Sequence, residues 1–135
     1  MGQTEMAEVA VCCKKVMVVE DDKDLRQMIK LSLDLTTGAR VVTASDGFMA
    51  LMMARGELPD LILMDLDLPY VDGFEAIRLI KADARTSHIP IMALTNHGWD
   101  FDWQQKAADL GCVRCLDKPQ DVTQLTGIVH DFLSA

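Results

Sequence analysis

The sequence predicts an α/β domain built on a doubly wound parallel sheet, and three observations carry that expectation. Five short apolar runs, at 16–19, 41–44, 61–64, 89–94 and 113–116, have the length of buried strands. Each is followed by a segment whose apolar residues recur at helical spacing. The runs at 16–19, 61–64 and 91–94 are almost wholly apolar, which suits strands covered on both faces at the centre of a sheet. Strands that alternate with helices run parallel and place the helices on both sides.

In chain order, Val16–Val19 forms the first strand, and Leu25, Met28, Ile29 and Leu33 share one face of the first helix. After the run at 41–44, Asp46-Gly47 opens a helix whose inner face is expected to carry Phe48, Leu51 and Met52. Pro59 precedes the third strand, and Asp72-Gly73 opens a third helix with Phe74, Ile77 and Ile80 inward. Trp103, Ala107 and Leu110 define the fourth helix, which Gly111 should cap. Val122, Leu125, Val129 and Phe132 define the fifth. Residues 1–14 read as a leader and 15–135 as the domain, with no output domain expected after the last helix.

A length of 135 residues fits one domain. The formal net charge of -8 repels a phosphate backbone, so direct DNA or RNA binding is not expected, and self-association should be weak at most. No apolar run approaches the roughly 20 residues of a membrane span. The leader lacks the basic start and long apolar stretch of a signal peptide, and Met6 stands where a myristoylation motif needs Ser or Thr. A cytoplasmic location is the expectation.

Four cysteines form a vicinal pair, Cys12-Cys13, and a CxxC, Cys112 to Cys115. The CxxC enters a strand instead of ending one before a helix, where a redox pair gains a lowered thiol pKa. Residues three apart on a strand sit roughly 10 Å apart and face opposite sides. The spacing matches no common zinc pattern. Reduced, buried thiols are expected.

The strand ends carry the chemistry. Glu20-Asp21 follows the first strand, Asp65 the third, Thr95 the fourth, and Lys118-Pro119 the fifth. In an open parallel sheet, side chains at the carboxyl ends of neighbouring strands meet in one crevice. A carboxylate can attack a phosphoryl donor, and catalysis of that transfer is mostly positioning and charge neutralisation. Asp65 is the natural nucleophile. Glu20, Asp21 and Asp65 form an anionic pocket whose hard oxygens select Mg²⁺ or Mn²⁺. Lys118 and Thr95 supply an ammonium and a hydroxyl for phosphoryl oxygens. Each position alone has a structural reading, as a helix cap, a turn residue or a surface lysine. Their placement on successive strand ends is far more specific.

Over residues 15–134 the chain resembles the receiver domain of two-component response regulators. The resemblance rests on Val18-Val19-Glu20-Asp21, Leu25-Arg26, Ala44-Ser45-Asp46-Gly47, Asp65 through Pro69 with Asp72-Gly73, Ala93-Leu94-Thr95, Gly111 and Lys118-Pro119. It implies a flavodoxin-like (βα)5 sandwich with strand order 2-1-3-4-5. It implies phosphorylation of Asp65 by a histidine kinase or histidine phosphotransfer protein, and signalling through contacts with a downstream protein. It further implies Mg²⁺ held directly by Asp21, Asp65 and the backbone carbonyl of Asp67, with Glu20 assisting. Such a domain catalyses only its own phosphorylation and dephosphorylation. Asp22 falls outside the metal set and reads as a solvated helix-start residue.

The chain departs from the family at three places. Cys115 stands where the family carries a Tyr or Phe that reports phosphorylation by rotating. Asn96 replaces a small residue after Thr95, and the segment from Thr95 to Gly111 is about one residue longer than usual. By the same resemblance, Asp67 and His97 should flank the acyl phosphate and modulate its lifetime. Trp99, Phe101 and Trp103 form an aromatic group beyond the Thr95 loop, suited either to a partner or, for Trp103, to the domain's own core. Two other readings stand beside the switch. One is a degenerate receiver acting as a phosphorylation-independent binding module. The other is a haloacid-dehalogenase-like phosphatase using Asp65-Leu66-Asp67, although its nucleophile would then follow the first strand, which is not the case here.

Overall fold

The computed structural model describes residues 13–68, 71–118 and 122–135. Pro69, Pro119, Cys12 and nearly all of the leader lie outside the described residues. Strands β1 (Lys15–Val19), β2 (Arg40–Ala44), β3 (Leu61–Asp65), β4 (Ile91–Thr95) and β5 (Arg114–Asp117) alternate with five helices. These are α1 (Lys23–Thr37), α2 (Gly47–Glu57), α3 (Gly73–Ala82), α4 (Phe101–Asp109) and α5 (Val122–Ser134). The strands form one parallel sheet in the order β2-β1-β3-β4-β5. This is the flavodoxin-like arrangement, and the order reverses beside β1, so the crevice falls between β1 and β3.

Two apolar layers flank the sheet. Met17, Val19, Ile62, Met64, Ile91 and Ala93 point to the side covered by α2, α3 and α4. Val16, Val18, Leu61, Leu63, Met92 and Leu94 point to the side covered by α1 and α5. Side chains alternate across a strand with period two, so runs with no polar position can satisfy both layers at once.

Four helices begin on an aspartate. Asp22 accepts from the backbone N–H groups of Asp24 and Leu25 at 3.0 and 3.2 Å, and Asp46 from that of Met49 at 2.7 Å. Asp72 accepts from Glu75 at 2.8 Å and Asp100 from Asp102 at 2.9 Å. These caps satisfy donors that a first turn leaves orphaned. Gly111, at φ 97°, follows α4 in the left-handed region that glycine tolerates best.

Several expectations need correction. Met28 in α1 and Phe48 and Met52 in α2 are exposed, at 51%, 66% and 51%. The buried face of α2 is instead Gly47, Ala50, Leu51 and Ala54. The fourth strand starts at Ile91, because Ile89 belongs to the preceding turn, where its N–H donates to the Thr86 carbonyl, and Pro90 has no N–H for a ladder. Cys13 is exposed, while Cys112 and Cys115 are half-buried, and all three are free thiols. Cys112 precedes β5, so the strand alternation rule does not reach it, and both CxxC side chains pack against the same apolar layer.

Candidate functional site

Asp65 is the last residue of the central strand β3 and is fully buried. One carboxylate oxygen, Oδ1, accepts from the backbone N–H of Asp67 at 2.8 Å and lies 3.0 Å from Lys118 Nζ. The same ammonium lies 3.5 Å from Oε1 of Glu20, which follows β1 and is also fully buried. Lys118 therefore stands between two buried carboxylates contributed by different strands. Asp21, the next residue along, is exposed at the mouth.

Burial, together with the neighbouring Asp65 carboxylate, pushes Glu20 up to about 8, although Lys118 pulls in the opposite direction. Burial also raises Asp65, against the Asp67 N–H and the Lys118 ammonium, which favour its charged form. For Lys118, burial opposes the charge, but the hydrogen bond to Asp65 and the charges of Asp65 and Glu20 prevail, so it is held above its ordinary value. The pocket is short of positive charge.

The second oxygens of the two carboxylates, Glu20 Oε2 and Asp65 Oδ2, are buried and accept no hydrogen bond. One ligand atom from each of Glu20, Asp21 and Asp65 lies within 4.8 Å of the others. Shielded carboxylate oxygens without donors, beside a third exposed carboxylate, fit a hard divalent cation.

Thr95 ends β4 and is fully buried. Its hydroxyl accepts from the His97 N–H at 2.9 Å and lies 3.5 Å from Asp67 Oδ2, which also accepts from the Asn96 N–H at 3.2 Å. His97 Nε2 is 3.5 Å from Asp67 Oδ1. The β4–α4 loop thus grips the Asp67 carboxylate at the edge of the pocket. Cys115, on β5, lines a groove of about 820 Å³ with Thr95, Asn96, Trp99 and Lys118. Burial and then the Asp117 carboxylate raise the Cys115 thiol.

Glu20, Asp21, Asp65, Asp67, Thr95, Asn96, His97, Cys115 and Lys118 therefore lie around one crevice or its rim. Two others were not foreseen in their roles. Gly73 starts α3 so close to β3 that a Cβ there would sit 2.2 Å from the Asp65 carbonyl oxygen. Only glycine permits that approach. Trp103 stacks on His97, with ring centroids 4.2 Å apart. The Asp-Gly pair marks the first of these as a helix start but says nothing of its approach to β3, and nothing in the spacing announces the second.

The profile of the response regulator receiver domain matches residues 16–130, and the chain belongs to that family. It is a family of two-component signalling domains and not of conventional enzymes, and membership implies a histidine kinase as partner. Among its relatives, the polar-differentiation response regulator DivK of Brucella anthropi is 33% identical over 120 residues, covering 89% of this chain and 96% of the relative. The chemotaxis protein CheY4 of Vibrio cholerae superimposes with a TM-score of 0.81 at 29% identity, covering 87% of this chain and 97% of that one. The receiver domain of sensor histidine kinase PA1611 from Pseudomonas aeruginosa PAO1, solved with magnesium coordinated in its active-site cleft, gives 0.76 at 30% identity, covering 90% and 98%. The acidic pocket of this chain is consistent with a phosphorylatable aspartate.

Proposed function

We propose that residues 15–135 form a phosphoacceptor switch in which Asp65 takes a phosphoryl group from a phosphohistidine of a histidine kinase or phosphotransfer protein. The observation that carries this reading is the Lys118 ammonium, 3.0 Å from a buried Asp65 carboxylate whose other oxygen has no partner. In the transfer, an Asp65 oxygen forms the new P–O bond, the P–N bond to the donor histidine breaks, and the imidazole leaves with the electron pair. Lys118 and the Thr95 hydroxyl bind phosphoryl oxygens, and the Asp67 N–H keeps the Asp65 carboxylate oriented. Asp21, Asp65 and the Asp67 backbone carbonyl, with Glu20 behind them, would hold Mg²⁺ or Mn²⁺. When bound, the cation neutralises charge on the pocket and on the transferred group. Asn96, His97 and Cys115 modulate the site from its rim.

The switch acts in the cytoplasm and passes its state to a downstream protein by contact. No helix among the described residues is long and apolar enough to cross a membrane. Incubation with acetyl phosphate and Mg²⁺ should add one phosphoryl mass to the intact chain and none to Asp65→Ala. No mass gain in the native protein would leave the second reading, a phosphorylation-independent binding module, which the absent aromatic at Cys115 favours.

A further inference from the structure

We propose that Trp103 is a positioning residue for the phosphoryl site, bracing the His97 ring against the Asp67 carboxylate so that this wall of the pocket stays closed to water. The proposal rests on the phosphoacceptor reading of Asp65 and extends it to a residue outside the crevice.

The bracing is a continuous set of contacts. The Asp67 carboxylate is held by the β4–α4 loop through the Asn96 N–H at 3.2 Å and His97 Nε2 at 3.5 Å. His97 is tied to Thr95 through its own N–H, at 2.9 Å. The His97 ring also meets the Trp103 indole, 4.2 Å between centroids at an interplanar angle of 30°. Trp103 is backed in turn by the edge-on ring of Phe74, 5.1 Å away at 60°, and Lys106 Nζ caps Phe74 at 4.2 Å. Phe74 is buried and belongs to the main apolar layer, so the indole has a rigid support on α3. Trp99 offers no such brace: it is 79% exposed, and its ring lies 6.3 Å from His97.

The His97 side chain is 43% exposed, and its one polar contact to Asp67 is long. A half-exposed imidazole with a 3.5 Å contact is weakly held by that contact alone. Stacking on a supported indole supplies the missing restraint. Loss of the phosphoryl group requires water to form a new P–O bond while the bond to Asp65 breaks. Asp65 leaves as a carboxylate, and the proton of the water ends on inorganic phosphate or solvent. Attack in line with the leaving oxygen depends on where water can stand. With the indole gone, His97 turns into solvent, the Asp67 carboxylate loses a neighbour, and water gains access from that side.

The test follows decay of the phosphorylated 135-residue chain by intact mass after removal of the phosphodonor. Trp103→Ala, and Trp103→Leu as a volume-filling variant that keeps α4 packed, should both raise the decay rate at least about threefold. Trp103→Phe, which keeps a ring, should hold the native rate. In a His97→Ala background, Trp103→Leu should add nothing, because the indole acts through the imidazole. Unchanged decay in Trp103→Leu would overturn the proposal. So would an effect of the same size with and without His97. Failure of the native protein to gain phosphoryl mass in the first step would overturn the phosphoacceptor reading, and the proposal with it.

Discussion

Lys118 is the residue on which the pocket balances. Its ammonium is the counter-charge within 3.5 Å of both buried carboxylates. Breaking such a group by removing one partner is strongly destabilising, because the remaining charge is left uncompensated. Lys118→Met should therefore cost about 3 kcal/mol in urea unfolding at pH 8. The cost should shrink at pH 5, where Glu20 can take up a proton instead. Equal losses at the two pH values would show that the carboxylates do not depend on the ammonium. Glu20 makes its own prediction. Its pKa rises from 4.5 in the unfolded chain to about 8 in the fold. The native state thus binds more protons than the unfolded state between those values, and stability falls as pH rises through that window. In metal-free buffer the melting temperature should decline from pH 5 toward pH 8, and Glu20→Gln should flatten the decline. Mg²⁺ should raise the melting temperature more at pH 8 than at pH 5, since it replaces the proton. At this scale the sequence was informative wherever a polar residue follows an apolar run, as at Glu20, Asp65 and Thr95. It was silent on the Trp103–His97–Asp67 contact, which joins two loops and a helix without any periodic signature.

Among the elements, α2 shows where pattern reading fails. Its sequence from Gly47 to Met53 contains no charged residue, so a period of 3.6 has no polar phase to oppose it. Phe48 and Leu51 are then equivalent candidates for the core, and only the fold separates them. The packing of α2 against α3 selects Ala50, Leu51 and Ala54, and leaves Phe48, Met49 and Met52 outward. Leu51→Ala should accordingly cost about 2–4 kcal/mol, as core truncations do. Met52→Lys should change stability by no more than about 0.5 kcal/mol. A large loss at Met52 in thermal unfolding would mean that the helix is rotated about its axis. The strands were easier to read, because their alternation into two apolar layers demands runs without polar interruption. Their ends shifted by one or two residues where a proline or a turn hydrogen bond decided the boundary, as at Pro90. The aspartate caps at 46 and 72 were legible for a related reason: a short acceptor followed by apolar residues at helical spacing suits a helix start.

For the whole molecule, the site and the sheet share one free energy. The layer that holds Met64 and Leu66 beside Asp65 also holds Ala107, with Cys112 and Cys115 packed against it. Burial, and then the neighbouring Cys115, pushes the Cys112 thiol up to about 11, so in the folded state almost none of it is thiolate at neutral pH. Alkylation at Cys112 should then proceed mainly through opening of the β5 side of the domain, where the half-buried thiol is freed. Cys13 is exposed and reacts without opening. A cation that binds only the folded pocket stabilises the fold by about 2.7 kcal/mol at a concentration one hundred times its Kd. Where opening is global and reversible, that energy appears as labelling of Cys112 slowed on the order of a hundredfold. Peptide mapping after iodoacetamide treatment at pH 7.5 should show this protection by Mg²⁺ at Cys112, while the rate at Cys13 stays constant. Asp65→Ala, which removes a ligand from the pocket, should abolish the protection without exposing Cys112 in metal-free buffer to the same degree as urea. If Mg²⁺ slowed both thiols equally, its effect would be on the reagent. If it slowed neither, the pocket would not be coupled to the sheet that carries it.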